Sequence, residues 1–101
     1  SGIFGYPQRI TMPYITYHPR FNFIYRKFVR GNAVLHQKTQ KAITLFAQDP
    51  NYPSLHLEKL SGANIWTIRI DRGNRLFFVW NDTKDTAIFF MVGKHDLYRK
   101  I

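Results

Sequence analysis

Hydrophobic residues recur with two different periods along this chain, and the period changes near Tyr52. Before that point, apolar residues are spaced three and four positions apart, which is typical of amphipathic helices. One such stripe covers residues 19–31 and a second covers residues 32–48, with a break at Gly31 and Asn32. Because so few residues separate the stripes, the pattern predicts two helices folded into a hairpin. The stripes comprise Phe21, Ile24, Tyr25 and Phe28, and then Leu35, Ala42, Ile43 and Phe46.

On either side of the predicted hairpin, apolar and polar residues alternate, as they do in half-buried strands. Residues 11–17 form the first predicted strand, and Pro13 favours a sheet edge because proline cannot donate a ladder hydrogen bond. Four more alternating segments follow Tyr52. The order β-α-α-β-β-β-β predicts an α+β fold with the helical hairpin on one face of a small, mainly antiparallel sheet. The apolar residues expected to share a face within each later segment are Leu55 and Leu57; Trp66, Ile68 and Ile70; Leu76, Phe78 and Trp80; and Ile88, Phe90 and Val92.

The length of 101 residues predicts a single domain, which we place at residues 11–101. Residues 1–10 show no period and are interpreted as a loose arm, a short strand or a vector-derived remnant. The absence of cysteine excludes disulfides, thiolate catalysis and cysteine-ligated metals. No apolar run approaches the ~20 residues that span a membrane, and no signal pattern opens the chain, so a cytoplasmic location is expected.

The charge balance is strongly positive, with 15 Lys and Arg against 6 Asp and Glu and a formal net charge of +9. A charge of this size indicates a polyanionic partner, such as nucleic acid, the ribosome, an anionic membrane or an acidic protein. A basic domain without such a partner is the alternative interpretation.

Side chains suited to phosphodiester chemistry occur on two neighbouring predicted strands. Arg75 opens an otherwise apolar strand, and Lys94, His95 and Tyr98 lie at and just beyond the end of the next one. A permanent cation, a titratable imidazole and a phenol can bind a phosphodiester and move protons around it. The pattern therefore predicts a site at the end of these strands.

The loop between two of the strands decides whether Arg69 and Arg75 cooperate. A two-residue loop that pairs Asp71 with Asn74 puts the arginines on opposite faces of the sheet. A three-residue loop over residues 72–74, which pairs Asp71 with Arg75, puts both arginines on one face and the bulkier apolar residues on the other. The second register is favoured because it segregates the charges, and because asparagine tolerates the left-handed conformation at the end of such loops.

Taken in order, these motifs make the chain similar to the RelE/ParE superfamily of bacterial toxins over about residues 14–101. The resemblance implies the toxin of a type II toxin–antitoxin pair, whose partners are mRNA, the ribosome and an acidic antitoxin. Ribonuclease members of that superfamily cut mRNA on the ribosome without a metal or other cofactor. The 2′-hydroxyl attacks the adjacent phosphate and leaves a cyclic phosphate and a 5′-hydroxyl. The resemblance rests on Asp49-Pro50, Leu57-Glu58-Lys59-Leu60-Ser61-Gly62, Trp66-x-Ile68-Arg69, Asn74-Arg75-Leu76 and Gly93-Lys94-His95.

The resemblance also implies roles for individual residues. Arg75 matches the arginine that contacts the scissile phosphate, and His95 is expected to protonate the leaving 5′ oxygen. Tyr98 falls near a C-terminal aromatic that stacks on a base or aids proton transfer. The expected catalytic set is Arg75, His95, Arg69, Tyr98 and Lys94, and the expected substrate-binding set is His56, Lys59 and Phe77.

The resemblance does not single out one residue as the general base. Some members use a lysine pair where this chain has Thr67 and Arg69. Others use a glutamate upstream of the Leu-Ser-Gly turn, and Glu58 does not match its position unambiguously.

Two other functions are compatible with the same motifs. One is a ParE-like inhibitor of DNA gyrase, which binds a protein and does no RNA chemistry. The other is a non-catalytic RelE-like module that binds nucleic acid or a partner. ParE-type members generally lack the basic and histidine set of this chain, which favours the ribonuclease.

Overall fold

A computed structural model of the chain describes residues 12–94 and residue 96. Two helices pack on one face of a five-stranded mixed sheet, which confirms the predicted α+β architecture and its element order. Among the described residues, no helix is long and apolar enough to cross a membrane. The elements are β1 (Tyr14–Tyr17), α1 (Phe21–Val29), α2 (Ala33–Gln48), one turn of 3₁₀-helix (Pro53–Leu55, the 53–55 turn), β2 (Glu58–Lys59), β3 (Trp66–Arg69), β4 (Asn74–Trp80) and β5 (Thr86–Lys94).

The sheet has the strand order β1-β5-β4-β3-β2. Strand β1 pairs in parallel with β5, and the other neighbours are antiparallel. Pro13 immediately precedes β1, which lies at an edge as predicted. The two longest strands, β4 and β5, are adjacent, and β3 pairs with the other side of β4. Arg69 of β3 and Arg75 of β4 therefore lie on neighbouring strands.

Local sequence signals set the helix boundaries close to the predicted ones. Gly31 follows α1 with a φ of +68°, in the left-handed region that glycine adopts without a steric penalty. Asn32 caps α2, and its side-chain oxygen accepts a hydrogen bond of 3.0 Å from the backbone N–H of Leu35. This bond satisfies one of the backbone donors that a helix start leaves unpaired. The connection between the helices thus follows from two adjacent residues.

An aromatic cluster joins α2 to the sheet. The ring of Phe46 meets Phe78 edge-on at a centroid distance of 5.0 Å and Phe89 at 5.4 Å. All three rings are completely buried, and Phe28 of α1 packs against the same core. Edge-to-face rings add to the free energy gained by burying their area. The helix stripes and the sheet therefore bury each other, as the apolar pattern predicted.

Strand β5 departs from the alternation expected of it. Phe78 pairs with Phe89, and a β-bulge leaves Phe90 as an extra residue. Because one extra residue reverses the alternation, Phe89 and Val92 both belong to the helix-facing core. Ile88 and Phe90 lie outside that core. The prediction that Ile88, Phe90 and Val92 share a face is therefore wrong.

The segment before β3 is a turn where an alternating strand was expected. Leu55 ends the 53–55 turn and is buried in the core, and His56 follows it with left-handed backbone angles of φ 45° and ψ 53°. Only Glu58 and Lys59 join the sheet, opposite Thr67 and Trp66. The left-handed residue redirects the chain, so the strand predicted around Leu55 and Leu57 shrinks to two residues.

Candidate functional site

The two arginines of the β3–β4 hairpin lie directly opposite each other. Arg69 pairs with Arg75, and paired residues of an antiparallel ladder project to the same side of the sheet. The prediction that they share a face is therefore confirmed. The predicted pairing of Asp71 with Arg75 is wrong, because the three-residue loop comprises residues 71–73 rather than 72–74. Either three-residue loop leaves the side chains of Arg69 and Arg75 on the same side of the sheet, so the error in the loop does not affect that prediction.

The carboxylate of Asp71 fixes this loop. Its Oδ1 accepts hydrogen bonds from the backbone N–H of Gly73 at 3.1 Å and of Asn74 at 3.0 Å. The side-chain amide of Asn74 donates a third bond of 2.9 Å to the same oxygen. An aspartate that collects nearby backbone donors stabilises a tight turn. Asp71 is thus the reason that the loop begins one residue earlier than expected.

Three acceptors hold the guanidinium of Arg75. Its Nη1 donates to the hydroxyl of Thr67 at 2.9 Å and to the backbone carbonyl of His56 at 3.3 Å. It also lies 3.2 Å from Oε1 of Glu58. The Arg75 side chain is only 18% exposed. A guanidinium fixed in this way is pre-organised to receive a phosphate, because little side-chain freedom remains to be lost.

The imidazole of His56 contacts the second arginine. Nη1 of Arg69 lies 3.1 Å from Nε2 of His56. A guanidinium can only donate, so Nε2 of His56 is the acceptor in this contact. The Nε of Arg69 donates to the backbone carbonyl of Asp71 at 3.3 Å. Arg69 is therefore positioned by the turn on one side and by His56 on the other.

The left-handed backbone of His56 makes both arginine contacts compatible. A non-glycine residue in this region costs on the order of 1–3 kcal/mol and persists only where its surroundings enforce it. Here the ring of His56 reaches Arg69 while the carbonyl of the same residue reaches Arg75. One strained residue thus ties two cations together.

These contacts define an arginine cluster on the sheet face opposite the helices. Sequence reasoning selected its two arginines and His56 but left Glu58 unassigned and did not include Thr67. The available signal was alternation, because Thr67 and Arg69 are two residues apart on one strand and so share a face. Glu58 pairs with Thr67, which brings its carboxylate to the same side. The cluster comprises His56, Glu58, Thr67, Arg69 and Arg75.

Strand alternation separates Lys94 from the arginine cluster. Gly93 is the residue that pairs with Arg75, and Lys94 pairs with Asn74. Successive residues of a strand project to opposite sides. Lys94 therefore belongs to the other side of the sheet, where it is exposed at the end of β5.

The other predicted residues fall into three groups. Lys59 is exposed and lines a separate cleft with Trp66 and Trp80. Phe77 lies on the arginine face but has no exposed surface, so its ring cannot stack on a base, and it is left out of the site. His95 and Tyr98 lie outside the described residues.

Within residues 12–94 and 96, no three histidine or carboxylate side chains gather as a metal site would require.

The sequence matches no protein-family model and no curated protein, but the fold matches solved structures. The YoeB/ParE toxin from Agrobacterium tumefaciens superposes with a TM-score of 0.66 at 18% identity, covering 81% of this chain and 98% of the toxin. The YoeB–YefM complex from Staphylococcus aureus gives 0.63 at 19% identity, covering 80% and 94% of the two chains. The E. coli DinJ–YafQ toxin–antitoxin complex gives 0.62 at 16% identity, covering 83% and 93%.

These matches extend over nearly the whole of each toxin chain although few residues are identical. They share the arrangement described above, with two helices on one face of a mixed sheet. Three of the five motifs that suggested the resemblance lie in the β2–β3–β4 region of the sheet. The chain therefore has the fold of the RelE/ParE-like toxins.

Proposed function

We propose that this chain is the toxin of a type II toxin–antitoxin pair and acts as a metal-independent endoribonuclease on ribosome-bound mRNA. The observation that carries the proposal is the arginine cluster, in which Arg69 and Arg75 lie opposite each other beside the imidazole of His56 and the carboxylate of Glu58. It occurs on a fold shared with proteins described as toxins. The net charge of +9 suits a polyanionic substrate.

The proposed reaction is attack of the 2′-hydroxyl on the adjacent phosphate. A bond forms between the 2′ oxygen and phosphorus, and the bond to the 5′ oxygen breaks. Arg75 and Arg69 stabilise the negative charge that develops on the phosphorane. The products are a cyclic phosphate and a 5′-hydroxyl.

Glu58 is the base we assign to this reaction. Its side chain is 57% exposed and lies 3.2 Å from Nη1 of Arg75. A phosphate bound at Arg75 would thus lie beside this carboxylate, which can take the proton from the 2′-hydroxyl. His95 is proposed to donate a proton to the leaving 5′ oxygen, and Tyr98 to stack on a base or aid proton transfer, as the resemblance implies. Glu58 takes up one proton and His95 releases one, so proton exchange with water restores both groups.

The test is cleavage of translated mRNA by purified protein, mapped by primer extension. Arg75→Ala is expected to lower the rate by roughly 10²–10³-fold, as the loss of a transition-state charge stabiliser typically does. Arg72→Ala is the matched control, because Arg72 is exposed in the same hairpin but has no assigned role. Circular dichroism checks that both variants remain folded. Equal cleavage by wild type and Arg75→Ala would contradict the ribonuclease assignment. Inhibition of DNA gyrase without RNA cleavage would instead support the ParE-like function.

A small acidic antitoxin is the protein partner we propose. The E. coli relative was solved as a toxin–antitoxin complex, and the S. aureus relative was solved as a complex with YefM. The excess of 15 basic over 6 acidic residues favours an acidic partner by charge complementarity. Co-expression with the product of the adjacent reading frame should abolish toxicity, and continued toxicity alongside a soluble, expressed neighbour would contradict the pairing.

A further inference from the structure

A cleft between α2 and the 53–55 turn opens next to the arginine cluster. Its volume is about 250 Å³. Lys38 and Lys41 of α2 and Arg69 of β3 line it, together with the carboxylate of Asp71 and the hydroxyl-bearing Ser54. Lys38 and Lys41 are three residues apart on one helix and therefore neighbours on its surface. Three cations thus border a space next to the proposed catalytic residues.

The single carboxylate in the cleft neutralises little of this charge. Oδ1 of Asp71 already accepts three hydrogen bonds that hold the β3–β4 loop. Its other oxygen lies 3.9 Å from Nζ of Lys38, at the outer limit of an ion pair, and that lysine is 52% exposed. Exposed pairs of this length bind weakly. Lys38 can therefore turn toward another anion without a large loss.

Arg69 connects the cleft to the arginine cluster. Arg69, at the end of β3, is one of the residues that line the cleft, and its guanidinium contacts the ring of His56, whose carbonyl is bound to Arg75. A strand anchored by one phosphate at Arg75 therefore meets a second group of cations beyond Arg69. Buried apolar residues such as Ala42 and Leu55 also line the cleft, so apolar surface lies beside the cations. That combination suits a sugar–phosphate unit.

We propose that this cleft binds a phosphodiester that flanks the scissile one on the same RNA strand. Lys38 and Lys41 contact that phosphate, and Arg69 lies between the two phosphates. The identity of the occupant as RNA rests on the proposed function. The role of the cleft is to fix the strand, so it contributes to affinity and not to the chemical step.

The experiment compares two double variants with equal loss of charge. Lys38→Ala/Lys41→Ala removes the lysines of the cleft, and Arg26→Ala/Lys27→Ala removes two exposed cations from α1, which does not line it. The probe is a fluorescent 2′-O-methyl RNA octamer, which binds but lacks the attacking hydroxyl. Anisotropy titrations between 50 and 200 mM salt give the dissociation constant and its salt dependence.

Loss of the contacts to one phosphate should flatten the slope of log K against log salt by about 0.7 for a single strand. We expect that change in Lys38→Ala/Lys41→Ala and a much smaller one in Arg26→Ala/Lys27→Ala. Equal changes in both would show that only total charge matters and would overturn the proposal. A polyglutamate peptide of equal charge serves as competitor. If it displaces RNA from the wild type but not from the cleft variant, the cleft is a protein-binding site instead.

Cleavage assays separate this proposal from the proposed function. If the wild type cuts mRNA and the cleft variant cuts with unchanged KM, the cleft proposal fails while the ribonuclease assignment stands. A raised KM with unchanged kcat in the cleft variant supports both the cleft proposal and the ribonuclease assignment. If the wild type does not cut mRNA, the ribonuclease assignment fails. The difference in RNA binding between the two double variants then tests the cleft proposal by itself.

Discussion

His56 shows how one residue can organise a site through its backbone as well as its side chain. Its ring accepts from Arg69 and its carbonyl accepts from Arg75, and both depend on a left-handed φ of 45°. Histidine is among the residues enriched in that region, although glycine adopts it far more readily. The strained residue carries the imidazole that contacts Arg69, which glycine could not supply.

Two variants of His56 separate the backbone from the ring. Both His56→Gly and His56→Ala keep the carbonyl that binds Arg75 and lose the imidazole that binds Arg69. Glycine relieves the left-handed strain and alanine does not, so we expect His56→Ala to be less stable than His56→Gly by about 1 kcal/mol. In a domain of this size that difference is a melting-temperature gap of roughly 4–8 °C.

Thermal unfolding followed by circular dichroism measures the gap. Equal melting temperatures would show that the residue is not held in the left-handed conformation in solution. Both variants should also cleave more slowly than the wild type, because both free the guanidinium of Arg69. If only the alanine variant loses activity, the backbone and not the ring is what matters.

At the scale of elements, the β4–β5 hairpin contributes two features that fix the sheet. The bulge at Phe90 directs Phe89 and Val92 to the same core. At the turn, the carboxylate of Asp85 accepts hydrogen bonds from Asn81, Thr83 and Thr86 at distances of 2.8 to 3.0 Å. These bonds stabilise the charged form and lower the pKa of Asp85 below its usual value.

The lowered pKa of Asp85 predicts a pH dependence of stability. A carboxyl group whose pKa is lower in the folded state stabilises the fold above its unfolded pKa, which is about 3.9 for aspartate. This contribution is lost as pH falls through the lower, folded pKa. Asp85→Asn should therefore have a lower melting temperature than the wild type at pH 7, and the difference should shrink below about pH 4.

Asp82→Asn is the control for that experiment, because Asp82 is exposed in the same turn. It removes the same charge, so a general charge effect would appear in both variants. Melting temperatures of the three proteins between pH 2 and pH 8 give the comparison. A difference between Asp85→Asn and wild type that stays constant with pH would show that lost geometry, and not the carboxylate charge, is responsible.

At the scale of the whole molecule, the cations of the arginine cluster and of α2 are part of a net charge of +9. If the arginine cluster and the two lysines of α2 each neutralise one phosphate, the slope of log K against log salt is roughly −1.4 for a single strand. Affinity for RNA should then fall by roughly 7-fold between 50 and 200 mM salt. Filter binding or anisotropy with uncleavable RNA measures this, and flat binding across that range would count against a nucleic-acid partner.

The sequence by itself determined the features that depend on local periodicity and on residue type. The two helices follow from apolar stripes and from Gly31 and Asn32, and the shared face of Arg69 and Arg75 follows from alternation on two strands. Alternation holds whichever three residues form the loop, so an error in the loop left the face correct. The basic charge is a property of composition and needs no structure.

Only the tertiary structure decided the features that depend on long-range pairing. The bulge at Phe90 arises where β5 pairs with β4, and no local pattern marks an extra residue. The left-handed His56 is held by contacts with Arg69 and Arg75, 13 and 19 residues away in sequence. Glu58 entered the site because a two-residue strand pairs it beside Thr67, and Lys94 was separated because Gly93 took the position opposite Arg75. In each case a partner distant in sequence selected a conformation that the local residues alone leave open.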